Sequence, residues 1–251
     1  MQNILTSLIG TGARSQTTNG QGAEFEMWLL LRIAERLAGV PFQAVLHDQA
    51  CTPVTSAGTF ILGATGGKIG NGSAGHVHVN WRGTAFEIHA NIEYRGRSGE
   101  THEIDIGFVQ SSVAAYLRTA TGGGRPTGRP RVALECKFKP GTGSKDEARQ
   151  TVARLFDLHF LAGHQYPSSG SRPSIWPEAS IQFGADRRKI YYQQSFKNCF
   201  NAICRLGGVS QNTGAYLSFN GVVPYRNLRP GDPAIDSFLD ELEQFLVTHR
   251  P

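Results

Sequence analysis

Long apolar runs are absent: nowhere among the 251 residues do about 18 apolar residues follow one another, so no membrane-spanning helix is expected. No positive charge precedes the short apolar patch in MQNILTSLIGTGARSQTTNG, so that segment does not read as a secretory signal. A cytoplasmic protein with no membrane association is the expectation. Cysteine is sparse. Cys51, Cys136, Cys199 and Cys204 form no CxxC pair and have no histidine at zinc-ligand spacing, which predicts reduced thiols, with Cys199 and Cys204 in the apolar core. Neither a GxSxG elbow nor a Cys/His signature for acyl transfer occurs. Gly63-Ala64-Thr65-Gly66-Gly67-Lys68-Ile69 fails as a phosphate-binding loop: its first glycine is one residue too close, and Ile69 stands where Ser or Thr would reach Mg²⁺. Lysine is scarce as well, 6 residues against 19 arginines, which makes a lysine at a chemically loaded position informative. The net charge of +5 permits a polyanionic partner without demanding one.

What is present suffices for one large core, with 39% apolar residues and no internal repeat. Residues 1–21 read as a polar, flexible N-terminal arm. Ala23–Leu37 predicts a helix buried on most sides, with Phe25, Leu29, Ile33 and Leu37 at four-residue spacing and Gly39 beyond its end. Phe42–His47, Thr59–Leu62 and His76–Trp81 read as short strands, with a glycine-dense loop over Gly63–Gly75. His76-Val77-His78 places two imidazoles on one strand face; with no matching Asp/His set at a recognisable spacing, it reads as an ordinary polar face.

Ala85–Tyr94 and His102–Val109 predict a hairpin across RGRSG, followed by a short helix over Ser111–Thr119 and a flexible basic loop over Gly122–Arg131. Val132–Lys139 is a strong strand. A helix opens at Ser144 with a Ser144/Glu147 capping box and a buried stripe of Ala148, Val152, Leu155, Phe156 and His159. Ala179–Phe183 and Ala215–Phe219 read as strands, Tyr191–Leu206 and Ala234–Thr248 as helices. The order implies an α/β sandwich with a mixed central sheet flanked by helices.

Alternation along Val132–Phe138 sends Val132, Leu134, Cys136 and Phe138 into an apolar layer and turns Glu135 and Lys137 to the other face. The preceding strand repeats the pattern, with Ile104, Ile106 and Phe108 against Glu103, Asp105 and Gly107. If the two strands pair, Asp105 faces Glu135. Carboxylates crowded in this way repel unless a divalent cation neutralises them, and hard oxygen ligands suit Mg²⁺ or Mn²⁺. Beside such an ion, Lys137 can orient an attacking water and offset phosphate charge.

Ile104-Asp105, followed after 29 residues by Glu135-Cys136-Lys137, resembles the bipartite signature of the PD-(D/E)XK, or restriction-endonuclease-like, nucleases, with Ile104 in place of the signature proline. The resemblance implies an αβββαβ core over residues 22–185, with insertions at 40–83 and 111–131, and leaves 186–251 as a C-terminal α/β extension packed on the core. It implies Asp105, Glu135 and the Cys136 carbonyl as ligands of Mg²⁺, with Mn²⁺ as a substitute. Glu26 would complete the site from the first helix, with Glu24 in reserve, and Lys137 would position the water. The implied activity is metal-dependent hydrolysis of DNA phosphodiester bonds, with prokaryotic or phage defence as the first biological reading. A nuclease fold retained only for binding nucleic acid or protein, and an RNA-cleaving enzyme of the same fold, are the alternatives.

Arg125, Arg129 and Arg131 either grip a nucleic-acid backbone or supply solubilising charge, and Arg187, Arg188 and Lys189 pose the same choice. Lys139 either touches phosphate or ends its strand in solvent; Lys145, Arg149 and Gln150 either approach the site or face water. Enzymes that break duplexes commonly pair two sites, so a homodimer or higher homo-oligomer is expected. Ala234–Thr248 either packs on its own sheet or, with Tyr191–Leu206, forms a two-fold interface. Residues 40–83 and 186–251 are where a protein or small-molecule activator is expected to bind.

Overall fold

In this computed structural model, residues 21–55, 60, 67–71, 74–96, 98–127, 130–159 and 199–249 are described. Among them are five helices, α1 (Gln21–Arg36), α2 (Ser111–Arg118), α3 (Lys145–His159), α4 (Gln211–Phe219) and α5 (Pro233–Thr248). The strands are β1 (Phe42–His47), β2 (His76–Trp81), β3 (Thr84–Arg95), β4 (Thr101–Gln110), β5 (Val132–Lys137), β6 (Phe200–Arg205) and β7 (Val223–Tyr225). They form one mixed sheet in sequence order, antiparallel from β1 to β5 and parallel from β5 to β7. The molecule is an α/β fold. No helix among the described residues is long and apolar enough to cross a membrane.

Each face of the sheet carries its own core. On one side α1 and α5 pack on Phe86, Ile88, Ile106, Phe108, Leu134 and Cys136. On the other, α2, α3 and α4 bring Leu117, Leu155 and Leu217 against Ile92, Tyr94, Ile104, Ala133 and Ile203. Helix α1 is buried on most sides because it contacts the sheet and α5 together, and Arg36 ties the two helices by bonding Asp240 and Glu243, each at 2.5 Å. Helix α3 begins with the capping box read from the sequence: Glu147 N–H donates to Ser144 Oγ at 3.1 Å, and Ser144 N–H donates to Glu147 at 3.3 Å.

Several expectations need correction. Ala215–Phe219 is the end of helix α4, not a strand; the overlooked start signal is Ser210, whose hydroxyl accepts from Thr213 N–H at 3.2 Å. Phe200–Arg205, expected to be helical, is strand β6. All six of its residues are buried, and a parallel strand covered on both faces shows a continuous apolar run without period-2 alternation. The buried stripe of α3 runs through Ala148, Val152, Leu155 and Leu158, while Phe156 is 45% exposed. Residues 122–127 are pinned rather than flexible: Gly124 exchanges backbone bonds with Ile69, and Arg95 N–H donates to the Pro126 carbonyl at 2.9 Å. Gly123, at φ +74°, has room for no side chain, since a Cβ there would meet the Ile69 carbonyl at 2.5 Å.

Residues 199–249, expected as an extension, add β6 and β7 directly to β5 and supply α5 to the first core. The apolar face of α5, with Ile235, Phe238, Leu239, Leu242 and Leu246, is buried within the chain. Of the two readings of this helix, packing on its own sheet is therefore the one observed, and the β6 portion of Tyr191–Leu206 is an interior strand paired with β5 and β7. The arm at 1–20, Arg129, Ala179–Phe183, Arg187, Arg188, Lys189, the side chain of His159 and residues 191–198 lie outside the described residues.

Candidate active site

Strands β4 and β5 pair at only two positions, Ile106 with Leu134 and Gly107 with Ala133, and then separate. One register step further lie Asp105 and Glu135. In place of a ladder bond, the Cys136 N–H donates to Asp105 Oδ2 at 2.6 Å. Lys137 Nζ lies 2.5 Å from Glu135 Oε1 and 3.7 Å from Asp105 Oδ2, so a single ammonium serves both acids. The two carboxylates are almost wholly buried, at 7% and 4% exposure. The strand-face reading therefore holds for Glu135, Lys137 and Asp105, which the structure brings together.

The position of Asp105 depends on an irregularity that alternation does not reveal. Along β3, Ile88 belongs to the first core and Ile92 to the second, although even spacing should keep them on one face. Between them, Asn91 sits at φ +49° and its carbonyl accepts from Gly67 N–H at 2.6 Å. The same exchange occurs across the ladder, with Ile106 in the first core and Ile104 in the second. Asp105 is the residue between them, in register with Asn91. Ile104, expected in the layer of Ile106 and Phe108, is displaced for this reason.

Helix α1 delivers the third acid. Phe25 is buried against Phe138, with ring centroids 6.3 Å apart, which docks the start of the helix on the end of the Glu135 strand. Glu26 then falls within electrostatic reach of Lys137, Glu103 and Glu135 and hydrogen-bonds Asn91, whereas Glu24 is exposed. Burial raises the Glu26 pKa to about 7; Lys137 works against the rise, and Glu103 adds to it. Burial and the neighbouring Glu135 charge likewise push the Asp105 carboxyl up. Lys137 responds in the opposite sense: burial lowers it, but Glu135 and Asp105 more than offset this and hold it charged.

Arg154 is the residue the sequence reading missed. Its guanidinium donates to Glu135 Oε1 at 2.6 Å and to the Glu103 carbonyl at 3.4 Å. Of the two readings of Gln150 the exposed one is observed; the side of α3 that meets Glu135 runs through Thr151 and Arg154. A signal existed: Thr151 and Arg154 follow Glu147 at i+4 and i+7. Lys137 and Arg154 both bond Oε1 of Glu135, and Cys136 N–H and Lys137 both lie on Oδ2 of Asp105. Each acid is thus fixed through one oxygen, with the other outside these pairs.

The expected backbone ligand fits the same geometry. The Lys137 carbonyl accepts from Leu206 N–H on the β6 side, while Cys136 N–H points to Asp105 on the β4 side. In an extended strand a residue's N–H and C=O point the same way, so the Cys136 carbonyl faces Asp105 too. The Cys136 thiol itself is buried in the first core, and burial pushes its pKa up.

The expected nucleic-acid contacts divide. Arg125 pairs with Glu93, which lies opposite Glu103 across the β3–β4 ladder, placing this arginine at the acidic border of the site. Arg131 is half-buried. Lys139 is exposed and bonds Glu147 at 2.7 Å; Arg149 is exposed and bonds Asp146 at 3.0 Å; Lys145 is exposed at the start of α3. No family model, curated protein or solved structure matches this chain.

Proposed function

We propose that the protein is a metal-dependent endonuclease that hydrolyses DNA phosphodiester bonds, with a restriction-endonuclease-like core and a cytoplasmic site of action. The observation that carries this reading is the convergence of Asp105, Glu135, Glu26 and Lys137 where β4 and β5 part. The donor set fits a hard divalent cation: the acids are crowded enough that burial and mutual repulsion raise two of them, a cost that Mg²⁺ or Mn²⁺ would relieve. Asp105, Glu135 and the Cys136 carbonyl would hold the ion, with Glu26 on a bound water. When bound, it would supply Lewis-acid stabilisation of the phosphoryl oxygens.

The chain's own residues perform the rest. Lys137 Nζ, bonded to Glu135 and lying 3.7 Å from Asp105, would direct a further N–H to the attacking water or to a phosphate oxygen. Arg154 keeps Glu135 oriented through the bond to Oε1. Glu26, near 7, is poised to exchange a proton with water at neutral pH. Lys139, Lys145 and Arg149 offer exposed cationic charge for the nucleic-acid backbone, and a homodimer or higher homo-oligomer would let two sites act on two strands.

Matched duplex DNA, single-stranded DNA and RNA oligonucleotides, incubated with Mg²⁺ or with EDTA, test the proposal. Cleavage of DNA in Mg²⁺ alone, leaving a 5′-phosphate, is the expected result. Cleavage of RNA but not DNA, or no cleavage of any substrate in Mg²⁺ or Mn²⁺, contradicts it.

A further inference from the structure

A second cluster of chemically capable side chains lies on strands β1, β2 and β3. His47 and His76 are directly paired across β1 and β2, and His78 follows two residues along on the same face. One ring nitrogen from each of the three lies within 4.8 Å of the others. The His47 and His78 rings stack with centroids 5.0 Å apart at 9°, and His47 meets His76 edge-on at 5.2 Å. Two imidazole nitrogens on one tetrahedral ion lie about 3.3 Å apart, given metal–nitrogen bonds of about 2.0 Å, so closing the site takes ring shifts of under ~1 Å together with a turn of His47 or His78 out of their stacked arrangement.

His76 gives an independent reason to expect a ligand. It is 2% exposed, and among the described residues its Nε2 has no hydrogen-bond partner. Glu87 Oε2 lies 3.6 Å from it, too far for a hydrogen bond. A buried imidazole left in that state is costly. A bound ion would satisfy it directly, or would fix the tautomer whose N–H faces Glu87, as carboxylates commonly do behind metal-bound histidines.

The supporting carboxylate is already in place. Glu87 accepts from His89 at 2.9 Å and is clamped by the two terminal nitrogens of Arg118. Arg118 is therefore neutralised by Glu87, and an arriving cation would meet a paired arginine. His47 and His78 are half-buried, so the cluster is not sealed from solvent.

We propose that His47, His76 and His78 bind one divalent transition-metal ion of the zinc class, at a site separate from the carboxylates of the candidate nuclease centre. Imidazole donors select a borderline ion such as Zn²⁺, Co²⁺ or Ni²⁺, whereas the acidic site suits Mg²⁺ or Mn²⁺. One chain would then hold two chemically distinct cation sites.

Titration of the untagged full chain with Zn²⁺ by calorimetry, and with Co²⁺ by visible absorption, tests this. The wild type and Glu135→Gln should each bind one Zn²⁺ per chain, and Co²⁺ should develop the intense visible band of a low-coordinate nitrogen site. A His47→Ala/His78→Gln double variant should lose at least ~100-fold in Zn²⁺ affinity and lose the band. Both replaced residues are half-buried, and single His78→Gln, melted alongside, separates lost ligation from lost folding. Zinc binding that survives in the double variant, that disappears in Glu135→Gln, or that is absent from the wild type would overturn the proposal.

Discussion

The backbone N–H of Cys136 donates to Asp105 Oδ2 at 2.6 Å, joining two strands at the point where their ladder has ended. An aspartate thus does structural work that a ladder carbonyl would otherwise do, while sitting beside a second buried acid. Metal-free Asp105→Asn keeps an oxygen for that N–H and removes a carboxyl that burial and Glu135 disfavour as an anion. Its melting temperature in EDTA should equal or exceed that of the wild type, by up to roughly 1 kcal/mol of stability, while its stabilisation by Mn²⁺ disappears. Melting curves with and without ion check both parts; a large loss in EDTA contradicts the account.

The raised pKa of Glu26 has a definite sign in pH. Its carboxyl titrates near 4.5 unfolded and about 7 folded, so the folded chain holds an extra proton between those values. This contribution to stability is complete below about 4.5 and is lost as pH rises through about 7, on the order of 2 kcal/mol after allowing for partial exposure. In EDTA, the difference in stability between wild type and Glu26→Gln should therefore change between pH 5 and pH 8. Parallel curves across that range contradict the placement of Glu26.

Arg154 acts through Glu135. Replacing it with Ala frees the carboxylate from one of its two cationic anchors and should raise the Mg²⁺ concentration for half-maximal cleavage about ten-fold, with a smaller change at saturating ion. Arg154→Lys should restore part of the loss. A change in maximal rate with no change in metal dependence would show that Arg154 serves another purpose.

Arg205 links strand β6 to the helix that follows the motif strand, donating to Glu147 at 2.8 Å while only 2% exposed. Arg205→Ala leaves Glu147 without its buried partner and should cost about 2–3 kcal/mol, less than a fully buried pair because Glu147 remains partly solvated and keeps Lys139. Urea unfolding measures it, and a change below ~0.5 kcal/mol contradicts the assignment.

The grouping of the charged side chains was legible in the sequence where it rode on strict alternation. Glu135 and Lys137 between Leu134, Cys136 and Phe138 read directly as a polar face, and the Ser144/Glu147 pair located helix α3. The third acid was implied by the family resemblance, within which the Phe25-Glu26 pair favoured Glu26 over Glu24. The reversal at Asn91 was not legible, because a left-handed residue inside a strand leaves no compositional mark when the residue is asparagine rather than glycine. Strand β6 was misread since both its faces are covered, which erases period-2 patterning. Arg154 was missed because the reading followed the apolar stripe of α3. His47 was missed as a neighbour of His76 and His78 because nearly 30 residues separate them in sequence, and the β1–β2 register alone joins them.

The most direct measurement of the central claim is cleavage of supercoiled plasmid DNA in Mg²⁺ by wild type, Asp105→Asn, Glu135→Gln and Lys137→Ala proteins of matched fold, followed under single-turnover conditions. The account predicts nicked or linear product with the wild type, none in EDTA, and a loss of at least ~10³-fold in each variant with its circular dichroism spectrum preserved. Cleavage at an unchanged rate in Asp105→Asn or Glu135→Gln would contradict it.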